Sequence, residues 1–286
     1  KIMQKNKIGL GLITCDRYHF LEKSVSSILE QTKNFNKEEF NFVVIDDTLD
    51  SIRKDKNEIS FLNDVNVFFT PEGKQGVGKA KNYALKTLIA AECEHIFLME
   101  DDIEMLDSNV FSLYINAVKN TGIKHLNFGL HGNHNRNLVN EPITRRIINY
   151  PDETKIVLYP NILGAFSYYH IDVLNTVGIM DEQFYNALEH VDHTYQIIKA
   201  GYHPPFRWFA DVQGSENCLK DIVPDHQQSK IRSEEDFIKN FLSNHDKFVE
   251  KNKFAVVQGR GPAENDYSEE EVVKNLQEIW KNHAEK

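Results

Sequence analysis

Two stretches of the chain carry residue types that could handle a nucleotide. Residues 73–82 read GKQGVGKAKN, which is G-x-x-x-x-G-K-A. A phosphate-cradling P-loop is written G-x-x-x-x-G-K-[S/T]: the turn's backbone amides hold phosphates, the lysine meets the terminal ones, and the hydroxyl reaches Mg2+. Lys79 supplies the cation, but Ala80 has no oxygen to offer. Two strand–helix units also precede this turn, whereas a P-loop ordinarily follows the first core strand. The plain alternative is a glycine turn leading into an ordinary helix. The second stretch, LMEDDIEM (98–105), sets Glu100, Asp101 and Asp102 at the end of an apolar run. Side chains alternate along a strand, so Glu100 and Asp102 share one side and Asp101 points away. Two such carboxylates can hold a hard divalent cation with an attached diphosphate. Without a cation the crowded anions are costly, and the plain alternative is a solvated acidic turn.

These groups act together only if the elements bearing them converge. The apolar runs 7–14, 40–47, 65–70 and 95–102 read as strands, the second and fourth ending in acids. Leu21, Val25, Ile28 and Leu29 recur at helical spacing in 19–32, and 79–91 is helical in composition. Strands alternating with helices argue for an α/β fold, an open, mostly parallel sheet with helices on both faces. Ligands in such sheets bind at the carboxyl ends of the strands, where Asp46, Asp47 and the 100–102 acids fall. Residues 125–165 read as strands and loops, followed by a helix at about 170–176. The stretch 181–202 holds a helix ending near Gly201, and 214–233 reads as a polar loop. Two charged amphipathic helices, 234–252 and 268–284, close the chain around a turn-rich link. The expected organisation is 1–233 as the nucleotide-binding domain and 234–286 as a helical extension.

The same segments, in the same order, resemble a family-2-type glycosyltransferase of the GT-A fold, a Rossmann-like α/β architecture. IGLGLITCDRYHFLEKSVSSILEQT is similar to that family's first strand and helix, and VVIDDTLDS to its second-strand acidic motif. GVGKAKNYAL resembles its glycine turn and following helix, with Lys81 in place of an arginine. MEDD resembles the DXD motif, and GIMDEQFYNALEHVDHTYQIIKAGY the acceptor-side phrase.

The resemblance implies roles for particular residues. Thr14, Asp46 and Lys81 would face the base and ribose, with Gly76 allowing close approach. Glu100 and Asp101 would lie on the nucleotide side, Glu100 near the ribose or a metal-bound water. Asp102 would bind Mn2+ or Mg2+, and His226 in a late polar loop would complete the metal shell, with Lys230 or Arg232 near the diphosphate. The family's base is the Asp of Glu-Asp, and this chain has His190 there. Glu189, His190 and Asp192 therefore all stand as candidate bases, Glu189 narrowly first; Glu189 could instead only fix the acceptor. His190 and His193 could equally be surface histidines. Trp208 could stack on a sugar but reads more simply as core, and Asn133, His134 and Arg136 as a surface loop.

The implied activity is metal-dependent, inverting transfer of a hexosyl unit from a UDP-type nucleotide-sugar donor to a glycan, lipid-linked or protein-linked hydroxyl. Two other classes stay open: a P-loop NTPase or kinase using Lys79, and a non-catalytic module binding sugar nucleotides or glycans. A net charge of −10, from 43 acidic and 33 basic residues, argues against a nucleic-acid partner. Cys15, Cys93 and Cys218 are too scattered for a metal or redox motif and suit reduced thiols. No apolar run approaches the ~18–20 residues of a membrane span, and the basic start lacks a signal peptide's apolar core. The expected location is cytoplasmic, or peripheral to a membrane-associated assembly. The C-terminal helices could pack on the core, build a homo-oligomer or join such an assembly.

Overall fold

The computed structural model describes residues 7–222, 231–232 and 234–285; His226 and Lys230 lie outside them. Its main sheet has six strands in the order β3-β2-β1-β4-β9-β6. These are β1 (Ile8–Thr14), β2 (Phe40–Asp46), β3 (Asn66–Phe69), β4 (His95–Glu100), β6 (His125–Asn127) and β9 (Phe166–His170). The first four are mutually parallel, and β9 runs antiparallel between β4 and β6. Strands covered on both faces read as continuous apolar runs, which is why IGLGLIT and HIFLME are so legible. Register pairs Thr14 with Asp46 and Ile13 with Glu100, so the carboxyl ends of β1, β2 and β4 form one row.

Helix α1 (Tyr18–Thr32) buries Phe20, Leu21, Ser24, Val25, Ile28 and Thr32, a stripe at i, i+4 spacing. Helix α2 (Val77–Ala90) lies so close to β1 that a Cβ on Gly11 would sit 2.7 Å from that of Ala84. Helix α3 (Asn109–Thr121) has no counterpart among the sequence expectations. It buries Val110, Phe111, Tyr114, Ile115 and Val118, and ends at Gly122, whose φ of +76° and N–H to the Val118 carbonyl make a left-handed cap.

Two small sheets finish the frame. Strands β7 (Arg146–Asn149), β8 (Lys155–Tyr159) and β10 (Phe209–Val212) form one, with β8 central. Strands β5 (Ile103–Met105) and β11 (Leu219–Asp221) form the other, antiparallel, with Asp221 opposite Ile103. The segment 214–233, expected as loop throughout, thus contributes a strand that brings Asp221 beside the acidic turn. Helices α4 (Ile171–Val177) and α5 (Glu189–Lys199) follow β9, and α6 (Phe237–Asn252) and α7 (Glu269–Ala284) close the chain.

The terminal helices are built into the body of the fold. Val272, Leu276 and Ile279 of α7 join the main apolar core with Phe111 and Tyr114 of α3. Phe248 of α6 packs in a second cluster with Phe184, Leu188, Val191, Phe206 and Phe254. Among the described residues no helix is long and apolar enough to cross a membrane.

Candidate functional site

Two adjoining cavities, about 320 and about 80 Å3, open at the carboxyl ends of β1 and β4 and share Arg17, Val77, Glu100, Asp102, Asn186 and Ile231. The smaller is lined also by Thr14, Cys15, Asp47, Gly76 and Asp101. The larger adds His131, His134, Glu189, His190 and Arg232, with Phe237 and Phe241 of α6.

The glycine turn is not an anion cradle. Asp47, just past β2, accepts the Gln75 amide at 2.8 Å and the Gly76 amide at 2.9 Å through its carboxylate. Its carbonyl accepts the Lys74 amide at 2.6 Å. The Gly73 amide goes to the Thr70 carbonyl at 3.2 Å and the Val77 amide to Asn186 Oδ1 at 3.0 Å. A P-loop needs these donors for phosphate, and here all five are used internally. A carboxylate at the start of α2 also meets the positive end of the helix dipole. Lys79 is exposed and, among the described residues, reaches Gln75 alone, at 3.4 Å. Gly76 has φ +95°, and a Cβ there would lie 2.8 Å from the Tyr185 ring. The close approach it permits is therefore to Tyr185.

The acidic strand end is organised around Arg17, which sequence reading did not single out. Its guanidinium pairs with Asp101, and both Nη atoms lie 3.3 Å from Asp102 Oδ2. Asp101 is fully buried and also accepts the Thr14 hydroxyl at 2.6 Å. Burial pushes the Asp101 carboxyl up, opposed by the adjacent guanidinium. Asp101 and Thr14 thus spend their polar atoms on each other and on Arg17. Asp102 differs: Oδ1 is buried and has no hydrogen-bond partner among the described residues. A buried acceptor of this kind is costly unless something binds it. No cluster of three or more His, Cys, Asp or Glu converges as a cage among the described residues. Mg2+ or Mn2+ needs none when one or two carboxylates and phosphate oxygens hold it. Asp102 Oδ1, with Glu100 lining the same cavities, fits such a cation.

Lys81 is enclosed, with 1 % exposure. Its Nζ lies 2.7 Å from Glu100 Oε1 and 3.4 Å from Glu189 Oε1, and donates to the Gly164 carbonyl at 3.1 Å. The expectation that Lys81 faces the base and ribose is corrected: it lines neither cavity and instead ties the acidic strand end to the start of α5. Burial works against the Glu100 carboxylate, but Lys81 outweighs it and holds its pKa low. Burial likewise opposes charge on Glu189, yet His190 and Lys81 bring it down to about 2. His190 Nδ1 lies 3.0 Å from Glu189 Oε1. With Glu189 ionised, Nδ1–H is the donor, which leaves Nε2 as the basic nitrogen. The imidazole is half-buried and lines the larger cavity.

Other expected residues fall elsewhere. Asp192 is buried, but its carboxylate meets Lys251 at 2.7 Å and Asn252 at 2.8 Å, with Gln196 at 3.1 Å. It clamps α6 and is corrected as a candidate base. Asp46 accepts the Tyr18 hydroxyl and the Thr48 amide and lies outside both cavities; its neighbour Asp47 holds the turn. His193 donates from Nε2 to the Gly178 carbonyl at 2.9 Å in the interior, and Trp208 is a core residue beneath Arg145, whose guanidinium sits 4.3 Å from the ring. The metal-shell role of His226 falls outside the described residues. His131, absent from the expectations, lines the larger cavity and pairs with Asp221 at 2.7 Å. Burial would lower its pKa, but Asp221 and the nearby Asp102 raise it to about 9, so it is cationic at neutral pH. His134 and Arg232 meet at 3.2 Å on the same wall. The three cysteines are free thiols.

No family model and no curated protein matches the chain by sequence. Solved structures match by shape. S. aureus TarS aligns at TM-score 0.53 and 16% identity over 97% of this chain and 43% of that one. TarS 1-349 in complex with UDP-GlcNAc aligns at 0.52 and 17% identity over 98% of this chain and 73% of that one. GalNAc-T7 with UDP, GalNAc and Mn2+ aligns at 0.55 and 13% identity over 87% and 48%. The chain therefore spans less than half the length of the full TarS and GalNAc-T7 chains. These likenesses establish the architecture, a GT-A-type α/β fold with its mostly parallel sheet.

Proposed function

We propose that the chain is a glycosyltransferase that takes a sugar from a nucleotide donor and passes it to an acceptor hydroxyl. The observation that carries this reading is the Glu189–His190 pair facing Glu100 and Asp102 across one cavity at the carboxyl ends of the strands. UDP-GlcNAc on TarS and UDP with Mn2+ on GalNAc-T7 support a UDP-type donor and a divalent cation. The smaller cavity, between Thr14, Asp47 and Gly76, is the nucleotide side in this reading, and the larger takes sugar and acceptor.

His190 is the base. Glu189, held near a pKa of 2, is too weak a base at neutral pH to take a hydroxyl proton, whereas it suits the task of orienting the imidazole. The acceptor oxygen attacks the anomeric carbon, its proton passes to His190 Nε2, and the bond from that carbon to the diphosphate oxygen breaks. A single displacement of this kind inverts the anomeric centre. Arg17, cationic His131 and Arg232 lie along the cavity where the diphosphate charge grows. Mn2+ or Mg2+ at Asp102 would supply Lewis-acid stabilisation of the departing nucleoside diphosphate.

Release of UDP from UDP-hexoses, with Mn2+ and with candidate acceptors, tests the reading. His190→Ala should lower kcat about 10²–10⁴-fold and leave donor affinity unchanged. Turnover within about threefold of wild type would remove His190 as the base. Donor binding without any turnover would favour a module that binds sugar nucleotides.

A further inference from the structure

Four of the twelve most exposed large apolar side chains among the described residues, Leu138, Val139, Ile143 and Ile147, fall within ten positions of one another. Leu138 and Val139 are 107 and 73 % exposed and occupy the tip of a hairpin whose arms meet at Arg136 and Pro142. The tip is tightly held. Asn137 Oδ1 accepts the amides of Val139 at 3.0 Å and Glu141 at 2.8 Å, and the Asn137 amide bonds the Glu141 carbonyl at 2.9 Å. Its root is fixed by Asn135, fully buried, which donates to the carbonyls of Gly129 and Asn161. The hairpin therefore presents two apolar side chains on a rigid mount, with none of the packing that would repay their exposure.

We propose that this hairpin docks on a lipid surface bearing anionic headgroups. Between positions 136 and 147 the chain carries Arg136, Arg145 and Arg146 against Glu141 alone, although its net charge is −10. Arg146 pairs with Glu269, but Arg136 and Arg145 bond backbone carbonyls, which leave their charge uncancelled among the described residues. Apolar side chains beside basic ones are the composition that binds anionic lipid. The tip offers two side chains, well short of the roughly 20–30 residues each partner gives to a stable protein interface. A few inserted side chains suffice at a bilayer. The root of the hairpin adjoins His131, Gly132 and His134, which line the larger cavity, so docking would bring the mouth of that cavity to the lipid.

The test is co-sedimentation of the full chain with phosphatidylcholine vesicles, with and without about 30 mol% phosphatidylglycerol. It needs neither donor nor turnover, so its outcome is independent of the transferase reading. Wild-type protein should pellet with the anionic vesicles and dissociate as NaCl rises from about 0.1 to about 0.5 M. The double substitution Leu138→Ser, Val139→Ser should weaken binding about tenfold with an unchanged Tm, since neither side chain is packed. Failure of the wild type to bind either vesicle, or equal binding by the double variant, would overturn the proposal. So would self-association in solution that depends on Leu138 and Val139, which would assign the tip to a second copy of the chain.

Discussion

Lys81→Met removes the cation held between Glu100 and Glu189 at nearly constant volume. In the wild type His190 first and Lys81 second hold the Glu189 carboxyl down at about 2, below its ordinary 4.5, against burial. Breaking a buried ion pair by deleting one partner costs about 3–5 kcal/mol. For a chain of this size that is a fall in Tm of about 6–15 °C at neutral pH. The pH dependence is the sharper signature. The folded Glu189 pKa lies below its unfolded value, so its stabilisation is present above about 4.5 and lost as pH falls toward 2. Without Lys81 the Glu100 carboxylate loses the main cation that offsets its burial, so its folded pKa rises above the unfolded one. The variant should then lose stability as pH rises through about 4.5, where the wild type has gained it. Calorimetric Tm values from pH 4 to pH 8 should show a gap that widens with pH, on the order of twofold or more. A gap constant across that range would refute the charge argument and leave Lys81 as packing alone.

Two further substitutions test the local readings. Gly76→Ala must hold a left-handed φ and push a methyl to 2.8 Å from the Tyr185 ring; it should cost about 1–3 kcal/mol in urea unfolding, and a neutral result would contradict the account of the turn. Asp192→Ala leaves Lys251 and Asn252 without their shared acceptor and should cost about 2–4 kcal/mol. Per folded molecule it should keep turnover, measured by UDP release, near the wild-type value; loss of turnover without loss of stability would restore Asp192 as a base.

Much of the sheet was legible because β1, β2 and β4 are buried on both faces and so read as apolar runs ending in acids. Helix α3 was equally readable in principle: Val110, Phe111, Tyr114, Ile115 and Val118 repeat at helical spacing, and Gly122 marks its end. The site was harder because spacing says what a residue neighbours in sequence but not what arrives from elsewhere. Glu189 and Asp192 sit one turn apart on α5, yet Lys251 and Asn252 claim Asp192. Asp46 and Asp47 are adjacent acids, and only the path of the 73–77 turn shows which one holds it. The glycine turn resembled a P-loop because both require positive φ and close packing, while Asp47 and Asn186, which accept most of its amides, lie far away in sequence. His131 carried no local signal at all, since its partner Asp221 comes on a strand in a stretch polar enough to read as loop.

The proposed nucleotide-sugar site is completed by a divalent cation at Asp102. Thermal unfolding with a panel of UDP-sugars, each with and without Mn2+, reads donor and cation together. At about 100 times Kd a ligand adds roughly 2.7 kcal/mol, a rise in Tm of about 5–10 °C. At least one UDP-sugar should give such a rise only with Mn2+, and Asp102→Ala should abolish it. No rise with any donor, or a rise that survives both removal of Mn2+ and Asp102→Ala, would contradict it.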